Sequence, residues 1–146
     1  MSITVKYNPE LSVIESVLAD NVTAEDLRMS EAQSIALAKE TNSTRFLTDA
    51  AEATLKVSIP AVYGLPDFYE DQGLQRPVLI AVLAPTLQAG KGFVDFYETV
   101  CLNRGWTVKI FGERQEALNW LLCVRNDGTQ DRDNRLAEGT RRSDSR

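Results

Sequence analysis

The segment from residue 103 to residue 122 constrains the fold more than any other part of this chain. Gly105 follows a helical pattern at the position where a left-handed residue commonly ends a helix. Residues 108–111 then form a short apolar run, and residues 113–122 carry apolar side chains at helical spacing. A helix, a turn, a buried strand and a closing helix in this order are typical of an α/β protein. The segment contains no catalytic constellation.

The other elements follow from the spacing of apolar residues and from turn and cap residues. Thr23 and Asp26 resemble a capping box, which predicts a helix from about Thr23 to Glu40. The remaining predicted elements are a hairpin with strands at residues 3–7 and 11–18, a short strand at 45–49 that exits at Asp49, a helix that starts at Ser58 and breaks near Gly64 and Pro66, a strand at 77–84 covered on both faces, and a helix over 93–104. We therefore predict an α/β fold with one mixed sheet of about five strands flanked by about four helices, in the order ββαβαβαβα.

The composition predicts one domain in a reducing compartment. A chain of 146 residues with 43% hydrophobic residues is long enough for one core, which we place in residues 1–124, and the polar residues 125–146 are expected to form a disordered tail. No apolar run approaches the roughly 18 residues of a membrane span, and no secretion signal begins the chain, so a cytoplasmic protein is expected. The formal net charge of -5 argues against nucleic-acid binding.

The chain contains no histidine. This absence removes every Ser-His or Cys-His nucleophile pair and every metal site that includes histidine. The cysteines, Cys101 and Cys123, have neither the number nor the spacing of a zinc site, and both are expected to be small buried hydrophobic residues. Carboxylates, lysine and tyrosine remain as groups for catalysis, so an enzyme would have to use Asp49, Glu52 or Lys91; we expect no enzyme activity, no metal and no cofactor.

Two weak polar patterns remain. Lys91 lies between two glycines after a buried strand, which suits an anion at a helix start, but Pro85 and Gly92 occupy positions at which a P-loop needs glycine and a hydroxyl. Asp49 and Glu52 are three residues apart near a predicted strand exit, so the pair is a candidate for general acid–base catalysis. The alternative for the Lys91 segment is a flexible helix start, and the alternative for Asp49 is an ordinary loop carboxylate.

Aromatic residues on the second and third predicted helices are a candidate lining for an apolar pocket. Tyrosine hydroxyls would then supply its polar groups. Ordinary core packing is the alternative explanation of such stripes. The candidate pocket residues are Tyr63, Phe68, Phe93 and Tyr97.

Four local patterns resemble the STAS superfamily, in its SpoIIAA-like branch, over roughly residues 3 to 122. They are residues 46–49, residues 77–84, residues 103–106, and Phe111 followed by residues 116–121. The resemblance implies a small cytosolic regulatory module without enzyme activity. In relatives that are anti-sigma factor antagonists, a Ser or Thr directly after an Asp is phosphorylated, whereas here Ala50 follows Asp49. That departure argues against a kinase-driven switch.

Two functional hypotheses follow. The first is a protein-interaction module whose partner contacts a surface made of Thr48, Asp49, Glu52, Thr54, Ser58 and Lys91. The second is a binding protein for a lipid-like or other small apolar ligand held between helices two and three. In addition, the predicted first strand, residues 3–7, offers unpaired amides if it lies at a sheet edge, which would allow a homodimer.

Overall fold

The computed structural model describes residues 2–86 and 88–123, without the side chains of residue 2 and residues 88–91. The predicted tail, residues 125–146, lies outside the described residues, as does residue 124 at the end of the predicted domain. The elements are β1 (Ser2–Asn8), β2 (Val13–Thr23), α1 (Ala24–Thr41), β3 (Arg45–Lys56), α2 (Ile59–Asp71), β4 (Leu79–Leu83), α3 (Gln88–Asn103), β5 (Thr107–Phe111) and α4 (Arg114–Cys123). This order confirms the predicted ββαβαβαβα succession.

The strands form one five-stranded mixed sheet in the order β1-β2-β3-β4-β5. β1 and β2 pair as an antiparallel hairpin, and the other neighbours are parallel. The predicted mixed sheet is thus confirmed. β1 forms an edge of the sheet, as the homodimer hypothesis requires, and the homodimer itself stays a prediction.

β3 is longer than predicted. It does not end at Asp49 but continues to Lys56, which pairs with Thr23 of β2. A bulge interrupts the register, because Val17 lies opposite Asp49 while Ala19 lies opposite Glu52. The predicted exit at Asp49 is wrong because β2 supplies hydrogen-bond partners for a segment whose own strand propensity is low. β4, in contrast, ends beside Asp49, so β2 and β3 project beyond it.

The starts of α1 and α2 are as predicted, whereas α3 begins at Gln88, before the predicted residue 93, and the predicted break in α2 is wrong. Thr23 and Asp26 form a capping box at the start of α1, and Ser58 Oγ accepts a hydrogen bond from the Ala61 amide at 3.3 Å. α2 then continues without interruption through Gly64 and Pro66. Pro66 is fully buried, and this packing offsets the backbone hydrogen bond that proline removes.

Helices cover both faces of the sheet. α1, α2 and α3 pack on one face with Ile14, Phe46 and Ile80, whereas α4 packs on the other face with Val13 and Leu47. All five residues of β4 are buried, as expected for a strand covered on both sides.

The turn after α3 also matches the sequence prediction, whereas one cysteine does not. Gly105 adopts φ 89°, a left-handed conformation, and leads into Trp106, which is 1% exposed. Cys101 is buried as expected, but Cys123 is exposed near the end of α4, so the prediction for Cys123 is wrong. Its position on the short α4 faces away from Ala117 and Leu121, which make the buried contacts of that helix.

No helix among the described residues is both long and apolar enough to cross a membrane.

Candidate functional site

Strand alternation places two adjacent predicted site residues on opposite faces of the sheet. Thr48 lies between Phe46 and Ala50, which belong to the core beneath α1, α2 and α3. Asp49 shares a face with Leu47, which packs against α4. Thr48 and Asp49 therefore do not belong to one continuous surface, although both were predicted to contact the partner.

Asp49 lies on the α4 side, where an ion pair fixes that helix to the sheet. Asp49 accepts a hydrogen bond from the Ala51 amide at 3.1 Å. Arg114, at the start of α4, contacts both carboxylate oxygens of the buried Glu15, at 3.0 and 3.1 Å. Burial of Glu15 opposes its ionisation, but hydrogen bonds from Arg114 and Asn8 outweigh that effect and lower the pKa of Glu15. This arrangement is structural, because its charges neutralise each other.

The other predicted partner residues lie near the junction of β3 and α2 or outside the described side chains. Glu52 is exposed on β3, Thr54 is half-buried opposite Asn21, and Ser58 is the exposed cap of α2. Lys91 falls in the first turns of α3, and its side chain is outside the described part of the chain.

Two of the four predicted pocket residues line a cavity. Phe93 and Tyr97 of α3 border a space of about 30 Å³ between the helices and the sheet, together with Leu18, Leu65 and Val82 among others. The other two predicted residues lie elsewhere. Tyr63 is 56% exposed, and Phe68 packs at the margin of the core.

A polar cluster borders this cavity, and the predicted pocket residues included its Tyr97 but not its Glu31 or Tyr69. The Tyr69 hydroxyl of α2 donates a hydrogen bond to Glu31 Oε2 of α1 at 3.2 Å. The hydroxyl oxygens of Tyr69 and Tyr97 are 2.5 Å apart. The two hydroxyls therefore share a hydrogen bond, in which either tyrosine can be the donor. The sequence signal was available, since Glu31 lies four residues from Leu27 and from Ile35 on the buried stripe of α1.

The environment suppresses ionisation throughout this cluster. Burial raises the pKa of Glu31 to about 7, and the hydrogen bond from Tyr69 opposes that rise only in part. Burial also raises the pKa values of Tyr69 and Tyr97 well above the ordinary tyrosine value, and that of Cys101 to about 12. The two tyrosines and the cysteine are therefore neutral at physiological pH, and Glu31 is the group that titrates.

The floor of the site is formed by hydroxyls of the sheet. Ser16 of β2 and Thr48 of β3 are hydrogen-bonded at 3.3 Å. Both line a second space of about 10 Å³, which shares Glu31 and Thr48 with the first. Among the described residues that line the two spaces there is no lysine or arginine. We name this pair of spaces, bordered by Glu31, Tyr69, Tyr97, Ser16 and Thr48, the Glu31 cavity.

A larger depression lies near the C-terminal end of α1, and its charged lining group, Lys39, is already hydrogen-bonded. It has a volume of about 280 Å³ and is bordered by Lys39, Asn42 and Gly73 among others. The Lys39 ammonium already donates to the Gln72 carbonyl at 2.6 Å. No group of three or more Cys, Asp or Glu side chains able to hold a metal ion occurs within the described residues.

Comparison with known proteins gives a structural match only. No family model and no curated protein matches this chain. A solved structure of an uncharacterised protein of the DUF3478 family from Shewanella loihica PV-4, described as having a SpoIIAA-like fold, matches with a TM-score of 0.52. The match covers 82% of this chain and 92% of that chain at 14% identity, a level at which the likeness concerns the fold. The chain therefore has a SpoIIAA-like fold, as its sequence resemblance implied.

Proposed function

We propose that this chain is a non-catalytic regulatory module that binds a protein partner through the outer surface of α2. The observation that carries the proposal is a pair of large exposed apolar side chains one turn apart. Ile59 is 51% exposed and Tyr63 is 56% exposed. Contiguous exposed apolar surface rimmed by polar residues commonly marks a protein interaction site.

The neighbouring helix extends this apolar surface. The Tyr63 ring packs edge-on against Phe96 of α3, with ring centroids 5.3 Å apart and an interplanar angle of 88°. Pro60 is also exposed beside Ile59. We name Ile59, Pro60, Tyr63 and Phe96 the α2 patch. Aromatic side chains that are already held by a neighbour lose little freedom on binding, which favours their use as anchors.

The rim of the α2 patch carries paired charges. Arg104 forms an ion pair with Asp67, and Arg76 binds Glu70 at 2.8 Å. Since these exposed pairs are neutral overall, the α2 patch suits a partner with an apolar or aromatic contact surface better than a highly charged one.

The chemistry of the described residues favours binding over catalysis. The chain contains no histidine, and the buried Cys101 has a raised pKa that keeps it a thiol. The resemblance to SpoIIAA-like proteins points in the same direction, because it implies a regulatory module. The phosphorylation switch of some relatives is not part of this proposal, since Asp49 lies within β3 and precedes Ala50.

The test is a crosslinking and pull-down experiment with the full-length chain in its native cells. Ile59→Arg and Tyr63→Arg should each abolish recovery of a reproducible partner, because both insert a charge into the apolar contact. Met29→Arg is the matched control, since Met29 is 51% exposed on α1, away from the α2 patch. Equal recovery with the patch variants and the control, or no reproducible partner for the unmodified chain, would overturn the proposal.

A further inference from the structure

We propose that two copies of this chain associate through β1, so that their two five-stranded sheets join into one continuous sheet about a two-fold axis. β1 pairs with β2 on one side, and no described strand pairs with its other side. The backbone groups of a free edge strand are ready to pair with a second strand. This interface is separate from the α2 patch.

The residue pattern of β1 selects the register of the two strands. Ile3, Val5 and Tyr7 pack toward the core on the α1 side of the sheet, and Lys6 is the charged residue of the strand. In an antiparallel pair, residues directly opposite each other share a face, so a two-fold axis passes through one residue. An axis at Lys6 would bring two ammonium groups together, which is unfavourable. Val5 is the middle residue of β1, and an axis there pairs the whole strand and places Lys6 opposite Thr4.

A depression beside Ile3 fits the Tyr7 side chain of the second copy. The register places Tyr7 of one copy opposite Ile3 of the other on the same face of the sheet. The depression has a volume of about 140 Å³, room for about ten water-sized groups, which is enough for a tyrosine side chain. Each copy would both insert a ring and receive one, as an isologous interface requires. Besides Ile3, the lining residues are Asp26, Met29, Ser30 and Gln33 of α1.

The position of α1 allows the two copies of this helix to pack as the strands pair. α1 contacts both β1 and β2, so its axis lies about half a strand spacing inside the edge. With strands about 4.8 Å apart, the two-fold axis places the two helix axes about 10 Å apart. Packed helices are about 8–10 Å apart. The sheets can therefore join without a clash or a gap between the helices.

The exposed stripe of α1 at this edge carries no charge at its centre. Met29, Gln33 and Ala36 are all exposed and lie on one face of the helix by their spacing. Met29 and Gln33 border the depression beside β1, so the stripe faces the free edge. α1 runs parallel to β1, and the two helices are therefore antiparallel across the interface. Their contact covers Met29, which is 51% exposed in the single chain, and opposes no like charges at its centre.

Sedimentation equilibrium of the full-length chain over a range of concentrations tests the association. We expect a reversible species of twice the chain mass that dissociates on dilution. Met29→Arg should weaken this association at least tenfold, because it places a charge in the contact between the two helices. Gln33→Arg is a second variant, since it brings two like charges together near the axis. The matched control is Leu102→Arg, at a position 50% exposed on α3, and it should leave the association unchanged.

Disulfide crosslinking tests the register. In a Cys123→Ser background, which removes an exposed thiol, Val5→Cys should crosslink two copies, because the paired Cα atoms would be about 5 Å apart. Lys6→Cys is the control. Its two Cα atoms would be about 8 Å apart along the diagonal of the pair, beyond the reach of a disulfide.

A chain that stays monomeric at every concentration would overturn the proposal. So would unchanged association in Met29→Arg and Gln33→Arg, or crosslinking of Lys6→Cys as efficient as that of Val5→Cys. Tyr63→Arg separates this interface from the α2 patch, since it should abolish partner recovery and leave the dimer intact, whereas Met29→Arg should do the reverse. Failure of one proposal is thus distinguishable from failure of the other.

Discussion

Glu31 should make the stability of this protein depend on pH in the opposite direction from an ion-paired carboxylate. Its ordinary pKa is 4.5, and burial raises it to about 7 in the folded chain. Between these two values the folded state binds more protons than the unfolded state. The free energy of unfolding therefore decreases as the pH rises through this window.

The magnitude follows from the two pKa values. Proton linkage with pKa values of 4.5 and about 7 gives a loss of about 2.5 kcal/mol in unfolding free energy between pH 5 and pH 8 from this one group. Glu31→Gln removes the titration. The unfolding free energy of the variant minus that of the unmodified chain should therefore be about 2.5 kcal/mol larger at pH 8 than at pH 5.

Urea unfolding at pH 5 and at pH 8 measures this difference, and the fluorescence of the buried Trp106 is a suitable probe. Glu52→Gln serves as the control, because it makes the same substitution at an exposed carboxylate on β3 outside the Glu31 cavity. If the difference in unfolding free energy between Glu31→Gln and the unmodified chain is the same at pH 5 and at pH 8, burial of the Glu31 carboxyl does not control its ionisation. That result would refute the reasoning.

Three further substitutions test a hydrogen bond, a helix cap and a packed face of the fold by urea unfolding at a single pH. Tyr97→Phe should cost about 1–2 kcal/mol, because Tyr69 loses a buried hydrogen-bond partner, and an unchanged midpoint would contradict that bond. Thr23→Ala should cost about 1 kcal/mol by removing the cap of α1, and a loss below the error of measurement would refute the capping role. Leu121→Ala should cost about 2–5 kcal/mol, since Leu121 is fully buried. Leu122→Ala is the control and should cost far less, because Leu122 is 40% exposed. Equal losses of stability in the two variants would contradict the assigned buried face of α4.

The functional elements meet at α2. Its outer surface carries Ile59 and Tyr63 of the α2 patch, and its inner surface carries Tyr69 of the Glu31 cavity. α2 packs against both α1 and α3. Variants on its two surfaces therefore need separate readouts, namely partner recovery for the outer surface and the pH dependence of stability for the inner surface.

The amino-acid sequence by itself determined the order of elements and several of their ends. Hydrophobic spacing, the capping box at Thr23 and the glycine at position 105 act locally, so they can be recognised without knowledge of distant contacts. The apolar run that contains β4 likewise indicated a strand covered on both faces. These features sufficed for the fold class and for the SpoIIAA-like resemblance.

Tertiary structure decided the length of β3, the continuity of α2 and the composition of the cavity. Residues 50–56 are a strand because β2 pairs with them, and Pro66 stays within a helix because its surroundings are packed. Glu31, Tyr69 and Tyr97 meet although 38 and 28 residues separate them along the chain. Contacts at such separations depend on how helices cross over the sheet, and no local pattern of residues encodes that geometry.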